Sequence, residues 1–159
     1  MLKGSIVALI TPFKDENLDE ESYIKLINYH LKNGTNGIVP GGTTGESPTL
    51  SHNEHKKIIE IAVKECNSSI PVVAGTGSNS TEEAISLTTH AEKAGANGAL
   101  IVTPYYNKPT QEGLYQHYKA INDKCGIPII IYNIPGRSVI DMSVDTMACL
   151  LYTSPSPRD

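Results

Sequence analysis

Tryptophan is absent from this 159-residue chain and phenylalanine occurs once, so eight tyrosines carry almost all of the aromatic surface. That is an unusual balance for aromatic packing alone, because each tyrosine brings a hydroxyl with its ring. Cysteine is scarce too. Cys66, Cys125 and Cys149 are an odd, scattered set without CxxC spacing, which argues against a structural zinc site and suits a reducing cytoplasm. No apolar run reaches about 18 residues, so no transmembrane helix is expected. The start, Met1-Leu2-Lys3-Gly4-Ser5, lacks a signal-peptide pattern. Arginine is nearly missing, and 13 basic against 17 acidic residues give a net charge of −4, which argues against a nucleic-acid surface. The length is that of one ordinary domain able to bury a core.

What the chain does have is order. Short β-branched runs recur at residues 5–10, 37–40, 70–74, 99–102 and 128–132. Each is continuous rather than alternating, as expected for parallel strands buried on both faces. Helical patterns lie between them, near residues 19–33, 52–66, 81–94 and 111–123. Ser51-x-x-Glu54 and Ser80-x-x-Glu83 read as capping boxes, and Gly34 and Gly95 stand where a left-handed glycine ends a helix.

The β-α rhythm fits a doubly wound sheet or a (β/α)₈ barrel. Every strand is followed by a loop loaded with polar residues: Thr11-Pro12, Gly41 to Glu46, Gly75-Thr76-Gly77, Thr103 to Asn107, and Tyr132 to Arg137. A barrel with its site on the C-terminal face requires that, whereas a doubly wound sheet concentrates its site at one switch point. No G-x-G-x-x-G follows the first strand. The expected fold is therefore a parallel (β/α)₈ TIM barrel with about the first five β/α units present. After Pro135 one helical start remains, near residues 141–148. Ser-Pro-Ser-Pro-Arg-Asp cannot form a sixth strand, because proline removes ladder donors. The expected organisation is residues 1–148 as the N-terminal portion of a barrel, and 149–159 as a non-homologous or disordered tail.

Residues 41–46, Gly-Gly-Thr-Thr-Gly-Glu, lack the Lys-Ser/Thr of a Walker A loop. Consecutive amides with small side chains still let a carboxylate or phosphate approach the backbone, although a plain glycine-rich turn reads the same way. Tyr132 closes an apolar run at a strand end, where its phenol can pass a proton to a neighbouring hydroxyl; the alternative is a packing aromatic at the barrel top. Arg137 follows the last strand and either forks onto a carboxylate or makes a surface ion pair. His52 and His55, three apart in a first helical turn, have metal-ligand spacing but no evident third ligand, so polar residues on a solvated face are expected instead.

Five segments taken in order, GSIVALITPF, GGTTGESPTLSHNEH, VVAGTGSNSTEEAI, VTPYYNKPTQEGLYQHY and IIIYNIPGRS, closely resemble the dihydrodipicolinate synthase family. The resemblance covers residues 1–148. It places the chain in a superfamily of Schiff-base aldolases and lyases that includes N-acetylneuraminate lyase. It implies condensation of pyruvate with L-aspartate 4-semialdehyde on the route to diaminopimelate and lysine, through a lysine imine, with no cofactor and no metal. By the same resemblance Thr43 and Thr44 cradle the pyruvate carboxylate, and Thr43, Tyr132 and Tyr106 form a proton relay. Tyr106 reaches a neighbouring subunit's site, so the complete enzyme is a homo-oligomer, dimer or tetramer. Arg137 holds the semialdehyde carboxylate. Ser47, His52, His55, Asn79, Glu83 and Tyr105 match positions that bind feedback lysine in some members. The double threonine and the YNIPGR arginine favour the synthase over the neuraminate lyase.

The family's imine lysine lies at the end of the sixth strand and is absent from this chain; Lys108 and Lys119 match no catalytic position. The expectation is therefore a truncated synthase, inactive alone. Two other readings stand beside it: a related aldolase acting on a sugar acid, and a non-catalytic half-barrel that only associates with a partner.

Overall fold

Residues 2–153 are described by the computed structural model. Strand β1 (Ile6–Ala8) leads into a small hairpin, β2 (Phe13–Lys14) and β3 (Asn17–Leu18), and then helix α1 (Glu20–Lys32). Strand β4 (Gly37–Val39), α2 (His52–Cys66), β5 (Val73–Gly75), α3 (Thr81–Ala94), β6 (Gly98–Val102), α4 (Gln111–Asn122) and β7 (Ile129–Tyr132) follow in alternation. A four-residue helix α5 (Pro135–Ser138) and α6 (Val144–Thr153) complete the described chain. Helix α6 runs unbroken across Ala148 and Cys149, and Leu150 is buried; residues 154–159 of the expected tail lie outside the described residues.

The long strands are parallel and lie in the order β1-β4-β5-β6-β7. Ile6 pairs with Gly37 and Ala8 with Val39. Val73 pairs with Gly98, and Val102 with Tyr132. An Ile38–Val72 bridge and a Gly75 N–H bond to the Pro40 carbonyl, 2.8 Å, join β4 to β5. This is a partial barrel. All five expected strands and all four expected long helices form.

Burial on both faces holds only in the middle. Strands β4 and β5 are buried throughout, whereas β1 and β7 have one hydrogen-bonded neighbour each and leave Ile6 and Ile130 exposed. In β6, Ala99 and Ile101 pack on Leu114, Tyr118 and Ile121 of α4, while Leu100 and Val102 on the opposite face are half-buried. The continuous apolar runs encode a two-faced core, of which the described residues cover the helical side.

The helices begin where short polar caps place them. Ser51 and Glu54 form the full reciprocal box expected. The second box forms only half. Ser80 accepts from the Glu83 amide, but the Glu83 carboxylate turns away to Ser78 Oγ at 2.5 Å and His52 Nε2 at 2.7 Å. The Ser80 amide bonds Ser78 Oγ in its place. Gly34 (φ +76) and Gly95 (φ +97) are left-handed at the ends of α1 and α3, as expected.

Helices α1 and α2 pack Tyr23, Ile27, Ile58 and Ala62 onto Leu9, Ile38 and Val72. Burying each Ile is worth about 1.5–3 kcal/mol, so this sheet–helix layer is what fixes the strand ends in place.

Candidate active site

The turn after β4 is built by close backbone approaches. Gly41 has φ +67, and a Cβ there would lie 2.7 Å from His55 Nε2 and 3.1 Å from the Gly75 carbonyl oxygen. Only glycine fits. At the far end of the turn, Thr11 Oγ1 donates to the Gly45 carbonyl at 2.8 Å. The Gly45 amide bonds the Gly42 carbonyl at 3.0 Å, and the Glu46 amide bonds the Thr43 carbonyl at 3.1 Å. The carbonyls of Gly42, Thr43 and Gly45 are thus already occupied. The amides of Thr43 and Thr44 have no partner among the described residues, and both residues are exposed. Two adjacent N–H groups on a pinned turn at the C-terminal end of a strand are suited to an anion.

His55 corrects an expectation. It is only 5% exposed, not part of a solvated face, and its Nε2 lies 2.7 Å from the Gly75 carbonyl oxygen. A carbonyl only accepts, so Nε2 carries the proton. Burial lowers the His55 pKa, against the raising effects of the Gly75 bond and the Glu83 charge. His52 is exposed, as expected, and pairs with Glu83. No cluster of three metal-ligating side chains occurs among the described residues.

Ser47, His52, His55, Glu83 and Tyr105 line one cavity of about 180 Å³ between the turn after β4, α2 and α3. Asn79 does not line it; its carbonyl accepts from Asn107 Nδ2 at 3.1 Å beside the cavity. The Tyr105 pKa is raised, chiefly by burial and then by the Glu83 charge.

The remaining candidates stand apart. Tyr132 is the last residue of β7, half-buried, with its carbonyl accepting from the Thr103 amide at 3.0 Å. Strands β5 and β6 lie between β7 and the turn holding Thr43. No hydrogen bond joins the hydroxyls of Thr43, Tyr106 and Tyr132 among the described residues. Tyr106 is 89% exposed and left-handed, φ +68, so its phenol projects away from the chain's own core. Arg137 is exposed on α5.

The family model described as "Dihydrodipicolinate synthetase family" matches residues 1–155. The chain belongs to that family.

The 4-hydroxy-tetrahydrodipicolinate synthase of Pelagibacter ubique is 80% identical over 150 residues, covering 94% of this chain and 51% of that protein. Among solved structures, the chloride-inhibited dihydrodipicolinate synthase from Acinetobacter baumannii complexed with pyruvate is 52% identical, TM-score 0.94. That match covers 98% of this chain and 54% of that one. The dihydrodipicolinate synthase from Cyanidioschyzon merolae with lysine bound is 39% identical, TM-score 0.91, over 96% of this chain and 53% of that one. The chain spans about half the length of the curated relatives it matches.

Within this member of the dihydrodipicolinate synthetase family, sequence reasoning missed three local contributors. Thr11 was visible only as a polar strand end, yet it anchors Gly45. Gly75 is pressed so closely on Gly41 that a Cβ would collide with the Gly41 carbonyl. Thr103, fully buried beside Tyr132, leaves its Oγ1 without a partner among the described residues. The inward position of His55 was readable: with Ile58, Ile59 and Ala62 it continues the i, i+3, i+4, i+7 stripe of α2.

Proposed function

We propose that this chain supplies the pyruvate-holding and proton-carrying part of a 4-hydroxy-tetrahydrodipicolinate synthase, which condenses pyruvate with L-aspartate 4-semialdehyde. The observation that carries the reading is the pinned turn with the unpartnered Thr43 and Thr44 amides. A pyruvate carboxylate accepts both N–H groups there, which orients the keto carbon over the strand ends. A lysine amine adds to that carbon and expels water to give an imine. Loss of a C3 proton makes the enamine, whose C3 then bonds the aldehyde carbon as the aldehyde oxygen takes up a proton. The hydroxyls of Thr43 and Tyr132, with Tyr106 of a second copy, move those protons. Arg137 takes the semialdehyde carboxylate by a charge-assisted fork.

The imine lysine stands outside this chain. No described lysine is buried; Lys56 is half-buried on α2 and the others are exposed. The exposed, left-handed Tyr106 supports a homo-oligomer, because a phenol held out at that angle meets groups of another subunit rather than its own. The cavity holding Glu83, His52 and Tyr105 offers a carboxylate to an ammonium group, which supports feedback binding of lysine there. Cys66, Cys125 and Cys149 form no disulfide, which suits a reducing cytoplasm.

The test is a chimera joining this chain to the remaining half of the Pelagibacter ubique synthase. It should form condensation product from pyruvate and aspartate semialdehyde and leave N-acetylneuraminate uncleaved. The reverse preference would place the chain with the sugar-acid aldolases.

A further inference from the structure

The chain from Asn133 to Met142 leaves β7, makes α5 and returns toward α6, and one side chain ties its two ends. Asn133 Nδ2 donates to Asp141 Oδ1 at 2.6 Å, and Asn133 Oδ1 accepts from the Met142 amide at 3.2 Å. Gln111, the first residue of α4, grips the same return. Its Nε2 donates to the Asp141 carbonyl at 2.8 Å, and its Oε1 accepts from the Ser143 amide at 3.0 Å and from Thr146 Oγ1 at 2.7 Å.

Inside the closed loop the backbone is under strain. Val139 has φ +69 and ψ −23, a left-handed conformation that a β-branched residue rarely adopts. It is 67% exposed, so its own side chain does not hold it there. Strained backbone persists where its surroundings over-determine it. Here those surroundings are Ser138 Oγ, buried and shared between the Ile134 and Ile140 carbonyls at 3.0 and 3.1 Å, and the Asn133 clasp. Arg137 sits in this loop, two residues before Val139, and its guanidinium bonds nothing among the described residues.

We propose that Asn133 is a positioning residue: by clasping Asp141 and Met142 it fixes the strained loop that presents Arg137 to the carboxylate of the second substrate. The part concerning substrate rests on the role given to Arg137 under the proposed function; the clasp itself does not. Asparagine suits the position because the amide needs one donor for a carboxylate and one acceptor for an N–H. An aspartate there would keep the acceptor and set a second negative charge against Asp141.

The chemistry allows a reciprocal swap. In Asn133→Asp the clasp breaks. In Asp141→Asn it survives, because the side-chain carbonyl then at position 141 still accepts from Asn133 Nδ2. In the double variant Asn133→Asp/Asp141→Asn it re-forms, because the carboxylate then at position 133 accepts from both the side-chain amide at position 141 and the Met142 N–H. Hydrogen exchange of residues 134–140, read by mass spectrometry on this chain, should be about tenfold faster in N133D while α1 and α2 are unchanged. Exchange in D141N and in the double variant should lie within about twofold of the parent. Unchanged exchange in N133D, or failure of the double variant to recover, overturns the clasp whatever the reaction is. In the chimera, N133D should raise KM for aspartate semialdehyde about tenfold with the pyruvate KM within about twofold, and the double variant should recover it. Equal effects on both substrates overturn the positioning role, since a merely structural loss weakens both.

Discussion

His55 Nε2 lies 2.7 Å from the Gly75 carbonyl oxygen, and Gly41 is wedged against both groups. One imidazole thus touches the cavity lined by Glu83 and Tyr105 on one side and the turn bearing Thr43 and Thr44 on the other. Gly41→Ala tests the wedge. A Cβ at φ +67 is strained and collides with the ring and the carbonyl, so the substitution should cost more than about 1 kcal/mol. A shift in the urea midpoint reads the cost. In the chimera the variant should weaken pyruvate more than semialdehyde, because it displaces the cradle and leaves Arg137 alone.

Tyr132→Phe removes a hydroxyl and almost no volume. In the chimera it should slow turnover by roughly 10²–10⁴-fold with an unchanged melting temperature. A loss below about fivefold would remove Tyr132 from the relay. The same change at Tyr105 should do less, since that residue lines the cavity with Glu83 rather than ending a strand.

Arg137→Ala should raise the Michaelis constant for the semialdehyde far more than that for pyruvate. The lost contact is one charge-assisted bond, worth about 1.5–3 kcal/mol. Steady-state kinetics with each substrate varied separately decide it, and equal weakening would move Arg137 out of the second subsite.

Much of this was legible in the sequence, for identifiable reasons. The five strands announced themselves because parallel strands in a layered core need uninterrupted apolar runs. Helices α2 and α3 did so through Ser51 and Ser80, each of which accepts an amide from the first turn, whereas the equivalent caps Asp19 and Thr110 went unread. The β2–β3 hairpin was not legible. Its strands have two residues each, and its turn uses Asp15 and Glu16 at φ +50 and +62 without a glycine to mark it. Helix α5 is a single turn begun by Pro135, too short for any period. The diversion of Glu83 from Ser80 to His52 needs the neighbouring helix, which no local pattern contains. Residues 41–46 were visible as a glycine-rich turn, but that the Thr43 and Thr44 amides have no partner among the described residues required the fold.

Stability should fall in mild acid through His117. Its ring is buried, Nδ1 meets Thr81 Oγ1 at 2.8 Å, and burial lowers its pKa from 6.5 to about 4. Between those values the unfolded chain binds a proton that the folded chain does not, so stability rises with pH across that window. Above pH 6.5 the contribution is complete, of the order of 3 kcal/mol; as pH falls toward 4 it is lost. His117→Gln should flatten the pH dependence of the urea midpoint between pH 4 and 6.5 by about one proton. An unchanged slope would show that His117 already titrates normally.

The central claim is that this chain holds pyruvate but leaves the reacting amine to another segment. Borohydride reduction in the presence of pyruvate, followed by mass spectrometry, tests it directly. Imine formation needs an unprotonated amine, which a solvated lysine, of ordinary pKa about 10.4, does not offer near pH 7. The chain alone should therefore show no stoichiometric adduct. The chimera should carry one adduct, on a lysine contributed by the added half, and replacing that lysine with alanine should abolish it. A stoichiometric single-site adduct on any lysine between Lys3 and Lys124 would contradict the account.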